Sequence, residues 1–265
     1  MSKLIEKLER ISEGRAQPLG FGAAANRTII LPMLVIASLP AGSAKPDEVA
    51  AKADADALVL TIDNWKKEKD TLARIGGKTD VLWGVSSQVV SREEIDQLAE
   101  MKCDFVIFTP EKTPAAVLGD ERIGKVLQID PSLDDSLARA VARLSVDAVL
   151  LSPPGKDQSP LTIHQLMVYE RLAAGSGKHL LAALPPGSPA DDLESWWSLG
   201  VRGVIVDMTA DHADEKMSQV KEAIRNLSTT KKKTGSKPGV VLPRIAQPST
   251  VAPPEEDDDD EDDDI

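Results

Sequence analysis

Asp56-Ala57-Leu58-Val59-Leu60-Thr61 is the stretch that decides the fold, because the chain repeats it. Residues 104–109 read Asp-Phe-Val-Ile-Phe-Thr, and residues 147–152 read Asp-Ala-Val-Leu-Leu-Ser. Residues 202–207 form a looser copy, Arg-Gly-Val-Ile-Val-Asp. In each copy a short apolar run ends in a small polar residue. Such runs are typical of strands that are buried on both faces, as in a parallel sheet.

Working outward from these copies, eight short apolar runs follow one another at an interval of about 23 residues. Helix-length segments separate the runs. Eight strand–helix units in one chain predict an α/β protein with a single (β/α)8 barrel. The runs cover residues 33–40, 57–63, 80–87, 103–110, 125–130, 147–153, 179–186 and 201–208.

Two further segments flank the predicted barrel, which we place at residues 29–228. Residues 1–28 start with an amphipathic helix pattern and continue as a loop rich in glycine and alanine, so we expect an extra helix that covers the bottom of the barrel. Residues 229–265 have the composition of a linker and a disordered tail. Residues 255–264 are all acidic, and such a run repels itself and buries no surface.

The charge of the chain limits the classes of ligand. The net charge is −12, and the ten acidic residues at 255–264 supply most of it, so the rest of the chain is nearly neutral. A basic patch for nucleic acid is not evident, and aromatic residues make up only 3%. We therefore expect a small-molecule ligand and no nucleic acid, with the acidic tail as a candidate for contact with a basic partner.

Location and assembly follow from a few single features. One cysteine, Cys103, fits a reducing compartment, and no apolar run reaches the length of a membrane span, so we expect a cytoplasmic protein without membrane contact. Gly20-Phe21-Gly22 is too short to count as a nucleotide-binding motif. Trp196 and Trp197 are adjacent on a predicted helix, and the one left exposed would mark a subunit contact in a homo-oligomer or simply cover the sheet.

The aspartate-led pattern of the even strands resembles the small aldolase-type and phosphate-binding TIM barrels, such as thiamine phosphate synthase, the keto-deoxy-phosphogluconate aldolases and indole-glycerol-phosphate synthase. This resemblance spans the whole barrel and implies lyase or isomerase chemistry on a small polar metabolite, with or without a phosphate group. Two features differ from those families. No strand end carries a Schiff-base lysine, and strand eight runs into Met208-Thr209-Ala210 without the usual glycine.

Alternation of side chains along each strand predicts which of them face the pore. In strand two, Leu58 and Leu60 would face the helices, whereas Val59 and Thr61 would face the pore. The same rule places small polar side chains, suited to binding a substrate, at the C-terminal ends of six strands. These are Ser38, Thr61, Ser86, Thr109, Gln128 and Ser152.

Acidic residues and one histidine at the same ends are the candidate catalytic groups, since active sites of such barrels lie on this face. Carboxylates there suit general acid–base chemistry or a hard cation such as Mg²⁺, for which Asp63, Asp130 and Asp207 would be the ligands. For each acid the structural alternative is a hydrogen-bonded strand end or a helix cap, and for His212 it is a helix start. The full candidate set is Asp63, Glu111, Asp130, Asp207 and His212.

A phosphate group would need convergent N–H donors or a cation. Gly187 and Ser188, at an expected helix start, and Gly155 with Lys156 are the candidates. Two functions remain open at this point. One is a divergent aldolase-type enzyme, and the other is a catalytically degenerate barrel that serves as a binding or scaffold protein with an acidic interaction tail.

Overall fold

The structure is a computed structural model, and it describes residues 2–13, 31–43, 45–79, 81–152, 160–185, 187–210 and 212–230. The acidic tail and the predicted phosphate ligands Gly155 and Lys156 lie outside the described residues. The proposed boundaries of the barrel at 29 and 228 therefore stay predictions.

Eight parallel strands pair in chain order, and the last strand closes on the first. This closure confirms the (β/α)8 barrel, and every predicted apolar run overlaps a strand. The strands are β1 (Leu34–Pro40), β2 (Ala57–Thr61), β3 (Trp83–Ser87), β4 (Phe105–Phe108), β5 (Gly124–Ile129), β6 (Ala148–Leu151), β7 (His179–Leu184) and β8 (Val201–Asp207).

Helices alternate with the strands, except that a 3-10 helix, Ala115–Gly119, stands in the connection between β4 and β5. None of the described helices is long and apolar enough to cross a membrane. The α-helices are α1 (Lys3–Ser12), α2 (Pro46–Lys52), α3 (Trp65–Gly76), α4 (Arg92–Glu100), α5 (Asp135–Val141), α6 (Ile163–Ser176), α7 (Asp192–Ser198) and α8 (Ala213–Thr230).

Local sequence fixes several of these helix starts. At α4 the Ser91 hydroxyl accepts the N–H of Glu94 at 3.2 Å, and the Glu94 carboxylate accepts the N–H of Ser91 at 2.8 Å. Thr162 and Gln165 form the same reciprocal pair at the start of α6. Each pair satisfies two backbone N–H groups that the first turn of a helix leaves without a partner.

The buried apolar side chains form two layers, one on each side of the barrel wall. Leu58 and Leu60 belong to the layer between the strands and the helices. Ala57 and Val59 belong to the layer inside the pore. The alternation predicted for β2 is therefore confirmed.

Helix α1 closes the bottom of the pore. Its Leu4 and Leu8 are fully buried among the pore residues. Asp104, at the start of β4, accepts the N–H groups of Lys3 at 2.7 Å and Leu4 at 2.9 Å. The approach is close, because a Cβ on Gly124 would lie 2.7 Å from the Ser2 side chain. This confirms the expected position of the N-terminal helix.

Candidate functional site

Seven polar side chains converge on the C-terminal mouth of the pore, one from the end of each strand except β7. They are exposed or half-buried, whereas the residues two positions earlier, such as Ile36, Ile107, Leu150 and Ile205, are buried inside the pore. The result is a polar ring above an apolar floor. The seven members of this polar ring are Ser38, Thr61, Ser86, Thr109, Gln128, Ser152 and Asp207.

The strand register makes neighbours of several ring members. Ser38 lies beside Asp207 across the β1–β8 pair, and Thr61 lies beside Ser86 across the β2–β3 pair. The Thr109 hydroxyl donates to the carbonyl oxygen of Gln88 at 3.0 Å, which fixes its orientation. Hydroxyl and amide groups in this arrangement both donate and accept hydrogen bonds, so the ring suits a polar, uncharged part of a ligand.

Two of the candidate carboxylates are held by the turns that follow them. Asp207 Oδ1 accepts the N–H of Thr209 at 2.9 Å and its hydroxyl at 2.7 Å. Asp130 Oδ1 accepts the hydroxyl of Ser132 at 2.6 Å and its N–H at 2.8 Å. The hydroxyl and the N–H of Ser132 lower the pKa of Asp130, so this carboxylate stays ionised at neutral pH.

The other two acids, Asp63 and Glu111, lie outside the polar ring, as Asp130 does. Asp63 is exposed after β2, and its backbone N–H donates to Glu68 Oε2 at 3.1 Å. Glu111 is exposed in the connection between β4 and β5. Within the described ranges, no three His, Cys, Asp or Glu residues lie close enough to hold a metal ion. The structure thus does not bring Asp63, Asp130 and Asp207 together as one metal site.

His212 stands directly before α8, as the alternative interpretation of a helix start expected. Its side chain is 76% exposed, and Nδ1 lies 3.5 Å from Glu215 Oε2 on the first turn of that helix. Its backbone adopts a positive φ of 60°, which is uncommon for a residue other than glycine. This geometry directs the imidazole toward a surface carboxylate.

The predicted phosphate ligands after β7 differ from expectation. Helix α7 begins at Asp192, so Gly187 and Ser188 do not stand at a helix start. The N–H of Ser188 donates to the carbonyl oxygen of Pro185 at 3.1 Å, and the Ser188 side chain is buried. A turn rather than a helix follows β7, because Pro185 ends the strand and its carbonyl takes up this N–H. The Ser188 N–H is therefore engaged within the turn.

A lysine that the sequence analysis missed lies next to this turn. Lys216, on the first turns of α8, donates its ammonium group to the carbonyl oxygen of Ser188. Burial lowers the pKa of Lys216, against a smaller opposing effect of Asp192. Lys216 and Asp207 line one small cavity of about 20 Å³, which has room for a single oxygen atom or water molecule. The order of strands and loops in the sequence does not indicate this cation, because it reaches the mouth from a helix.

Tyr169 is a second residue that sequence reasoning missed. Its hydroxyl donates to the carbonyl oxygen of Ser152 at 3.0 Å, and its ring centroid lies 4.8 Å from that of Trp196. Burial and, to a lesser degree, the charge of Asp130 raise its pKa to about 12. Tyr169 thus remains protonated at neutral pH and supports the backbone at the end of β6.

The tryptophan pair is divided by the fold. Trp196 is buried against Tyr169, whereas Trp197 is half-buried. The contact with Tyr169 gives Trp196 a role in the packing of α6 against α7. A subunit contact through the second stays a prediction.

A much larger cavity lies at the opposite end of the barrel. It has a volume of about 840 Å³ and is lined by α1, α8 and the turns that lead into β2, β3 and β4. These turns precede the strands, so this cavity, which we call the bottom groove, is on the face away from the polar ring.

Comparison with known proteins gives no match to a protein family or to a curated protein. Solved structures do match. A tryptophan synthase alpha-subunit mutant from Pyrococcus furiosus has a TM-score of 0.56 at 12% identity, over 74% of this chain and 98% of that one. Thiamine phosphate pyrophosphorylase from the same organism has a TM-score of 0.54 at 15% identity, over 74% and 96%.

KGPDC from Streptococcus mutans has a TM-score of 0.58 at 9% identity, over 73% of this chain and 98% of that one. Identities this low establish likeness of fold alone. The resemblance to thiamine phosphate synthase that the even strands indicated is confirmed at that level. The chain is therefore a TIM barrel with the same fold as these three proteins.

Proposed function

We propose that this chain is a barrel enzyme that binds a small polar metabolite at the polar ring and acts on it by lyase or isomerase chemistry. The observation that carries the proposal is the convergence of hydroxyl, amide and carboxylate groups above an apolar floor, on the face where barrels of this fold carry out their reactions. The structural neighbours named as enzymes share this barrel.

Binding would rest on the uncharged members of the ring. Ser38, Thr61, Ser86 and Ser152 each offer one hydroxyl, and Gln128 offers an amide. Hydroxyl and carbonyl groups of a ligand would pair with these donors and acceptors. The buried floor formed by Ile36, Ile107 and their neighbours limits how deep that ligand would enter.

Asp207 is the best-placed general base. Its Oδ1 is fixed by the two hydrogen bonds from Thr209, which leaves Oδ2 to meet the ligand. A carboxylate oriented in this way can take a proton from the bound metabolite and return it at another atom, as an isomerase requires. Ser38, its neighbour across the strand pair, would position the reacting group.

A phosphorylated substrate would find its cation in Lys216. This ammonium group and Asp207 line the same cavity, and a phosphate oxygen reaching it would form a charge-assisted hydrogen bond. Gly187, at the turn after β7, lies on the same side of the mouth. Lys216 would thereby take the part that sequence reasoning gave to the Ser188 N–H and to Lys156.

A thermal-shift panel tests the proposal. Small polar metabolites, with and without phosphate groups, are added to the wild-type chain, to Asp207→Asn and to Lys216→Gln. A true ligand at about 100 times its Kd should raise Tm by roughly 5 to 10 °C. Turnover of each hit is then followed by NMR. Asp70→Asn, an exposed acid on α3, is the matched control.

We expect Asp207→Asn to abolish turnover and Lys216→Gln to remove only hits that carry a phosphate group, while Asp70→Asn behaves as wild type. Binding and turnover that are unchanged in Asp207→Asn would contradict the assignment of the base.

A non-catalytic binding or scaffold protein is the second candidate. Asp130 and Asp207 are both engaged by the residue two positions later, which is also what purely structural strand ends do. Hits that bind at the mouth without turnover would favour this function. Its acidic tail would then engage a basic partner, and deletion of residues 255–265 should weaken that association in a salt-sensitive manner.

A further inference from the structure

The bottom groove has the size of a ligand site but lies far from the polar ring. Its volume of about 840 Å³ falls within the range of roughly 300–1,000 Å³ that is usual for small-molecule sites. The strands contribute only their first residues or the turns before them, such as Trp83 at the start of β3. Any ligand here would therefore be independent of the proposed reaction.

Two helices each present a pair of basic residues to this groove. Lys3 and Lys7 are four residues apart on α1, and Lys221 and Arg225 are four residues apart on α8. Residues at this spacing lie on the same face of a helix, and like charges there destabilise the helix. An anion bound between α1 and α8 would attract the basic residues of both helices and so offset the repulsion within each pair.

Among the described residues, the lining of the groove carries an excess of positive charge. Six basic and three acidic side chains of this part of the chain line it, although the chain has a net charge of −12. The three acids are Asp54, Asp56 and Asp104. The six basic residues are Lys3, Lys7, Lys102, Arg122, Lys221 and Arg225.

Two of the acids are committed to backbone N–H groups. Asp56 Oδ2 accepts the N–H of Val35 at 2.9 Å, and Asp104 accepts the N–H groups at the start of α1. Lys7 donates its ammonium group to the carbonyl oxygen of Asp56 at 3.1 Å. A carbonyl is neutral, so this bond orients the lysine without cancelling its charge.

Ion pairs engage Lys221 and Arg122 of this set. Lys221 pairs with Asp54 at 2.8 Å, and Arg122 pairs with Asp96 and Asp120. Lys3 and Lys102 are exposed at the edge of the groove. Together with Lys7 they place three ammonium groups around one cavity, from α1 and from the turn between α4 and β4.

We propose that the bottom groove is a binding site for a small polyanion, a compound that carries two or more phosphate or carboxylate groups. The anion would lie between the basic faces of α1 and α8 and contact Lys102 at the far side. Charge-assisted hydrogen bonds of this kind are stronger than those between neutral groups.

Isothermal titration calorimetry tests the site with two probes, sodium tripolyphosphate and citrate. Both are measured at a low ionic strength of about 10 mM, where the Debye length is about 30 Å and salt weakens the attraction between charges only slightly. Lys3→Gln/Arg225→Gln removes one charge from each helix pair. Lys66→Gln/Lys67→Gln, on the exposed first turn of α3, removes the same charge elsewhere. Lys216→Gln reports on binding at the mouth of the barrel. A cooperative thermal unfolding transition of each variant shows that the variant is folded.

We expect at least one probe to bind the wild type, and the groove variant to bind it roughly tenfold more weakly, since two charged contacts are lost. Binding of tripolyphosphate alone would indicate phosphate groups, and binding of citrate alone carboxylate groups. The Lys66/Lys67 variant should bind as the wild type, and Lys216→Gln should leave unchanged the binding that Lys3→Gln/Arg225→Gln weakens, since Lys216 does not line the bottom groove. The proposal is overturned if neither probe binds, if both double variants lose affinity equally, or if Lys216→Gln alone abolishes binding.

Discussion

Asp147 and Lys125 exchange two hydrogen bonds at the bottom of the barrel. The N–H of Asp147 donates to the carbonyl oxygen of Lys125 at 2.9 Å, and Asp147 Oδ2 accepts the N–H of Lys125 at 2.7 Å. Asp56 forms the same pair of bonds with Val35. The aspartate that opens each of these repeats therefore ties an even strand to the odd strand before it.

Replacement of Asp147 by alanine should destabilise the barrel. The N–H of Lys125 would lose a charged acceptor, and such a loss costs about 1–3 kcal/mol of the free energy of unfolding. Urea unfolding measures this difference. Asp70→Ala, on the surface of α3, should change stability by less than about 0.5 kcal/mol. Equal effects of the two substitutions would show that the hydrogen bond contributes nothing specific.

Gly84 marks a close approach between two strands. A Cβ at this position would lie 2.5 Å from the carbonyl oxygen of Phe105 and 2.6 Å from its ring. Gly84→Ala should therefore destabilise the protein by about 1–3 kcal/mol or more, as overpacking does. Gly42→Ala is the control, because nothing lies within 4 Å of its added Cβ. Thermal unfolding of both variants gives the comparison.

The pKa of Asp130 depends on Ser132. Ser132→Ala removes the hydroxyl that contributes most to lowering this pKa, so the value should rise toward the ordinary one of about 3.9. A lowered carboxyl pKa stabilises the fold above the ordinary value, and that stability is lost as pH falls through the lowered one. The Tm difference between wild type and Ser132→Ala should therefore shrink in acid. NMR titration of the carboxylates would contradict this account if the pKa did not move.

Tyr169 can be titrated directly because it is the single tyrosine of the chain. Tyrosinate absorbance should appear with a pKa of about 12, well above the ordinary value of about 10. The raised pKa favours the neutral form in the folded state, so stability should fall as pH rises from about 10 to about 12. In Asp130→Asn the pKa should be lower, since one negative charge is removed. A pKa near 10 in the folded wild type would refute the burial of this hydroxyl.

The strands and the orientation of their side chains could be predicted from the sequence. Side chains alternate along a strand, so the parity of one residue determines which side chains face the pore and which face the helices. Val59 inside the pore and Leu60 outside it follow from alternation alone. The polar ring follows in the same way, since Ser38, Thr109 and Asp207 end their strands with the parity of the pore residues.

Contacts that join distant segments could not be predicted. Lys216 meets Ser188 across the α7 region, and only the folded chain brings them together. The Ser188 N–H donates to the carbonyl oxygen of Pro185, although residues 188–191, Ser-Pro-Ala-Asp, resemble a helix start in the sequence. The bottom groove is likewise formed by segments that are distant in the sequence, so no local sequence pattern predicts it.

The plug at the base of the pore has a consequence for how the chain matures. Helix α1 precedes every strand of the barrel in the sequence, yet Leu8 packs near Gly203 in the last strand, and Asp104 accepts hydrogen bonds from its first turn. The surface on which α1 packs is complete only after β8 has been synthesised. We therefore expect α1 to dock late, after the barrel has closed. Its apolar face then stays exposed on the nascent chain, which should make folding slow and dependent on chaperones.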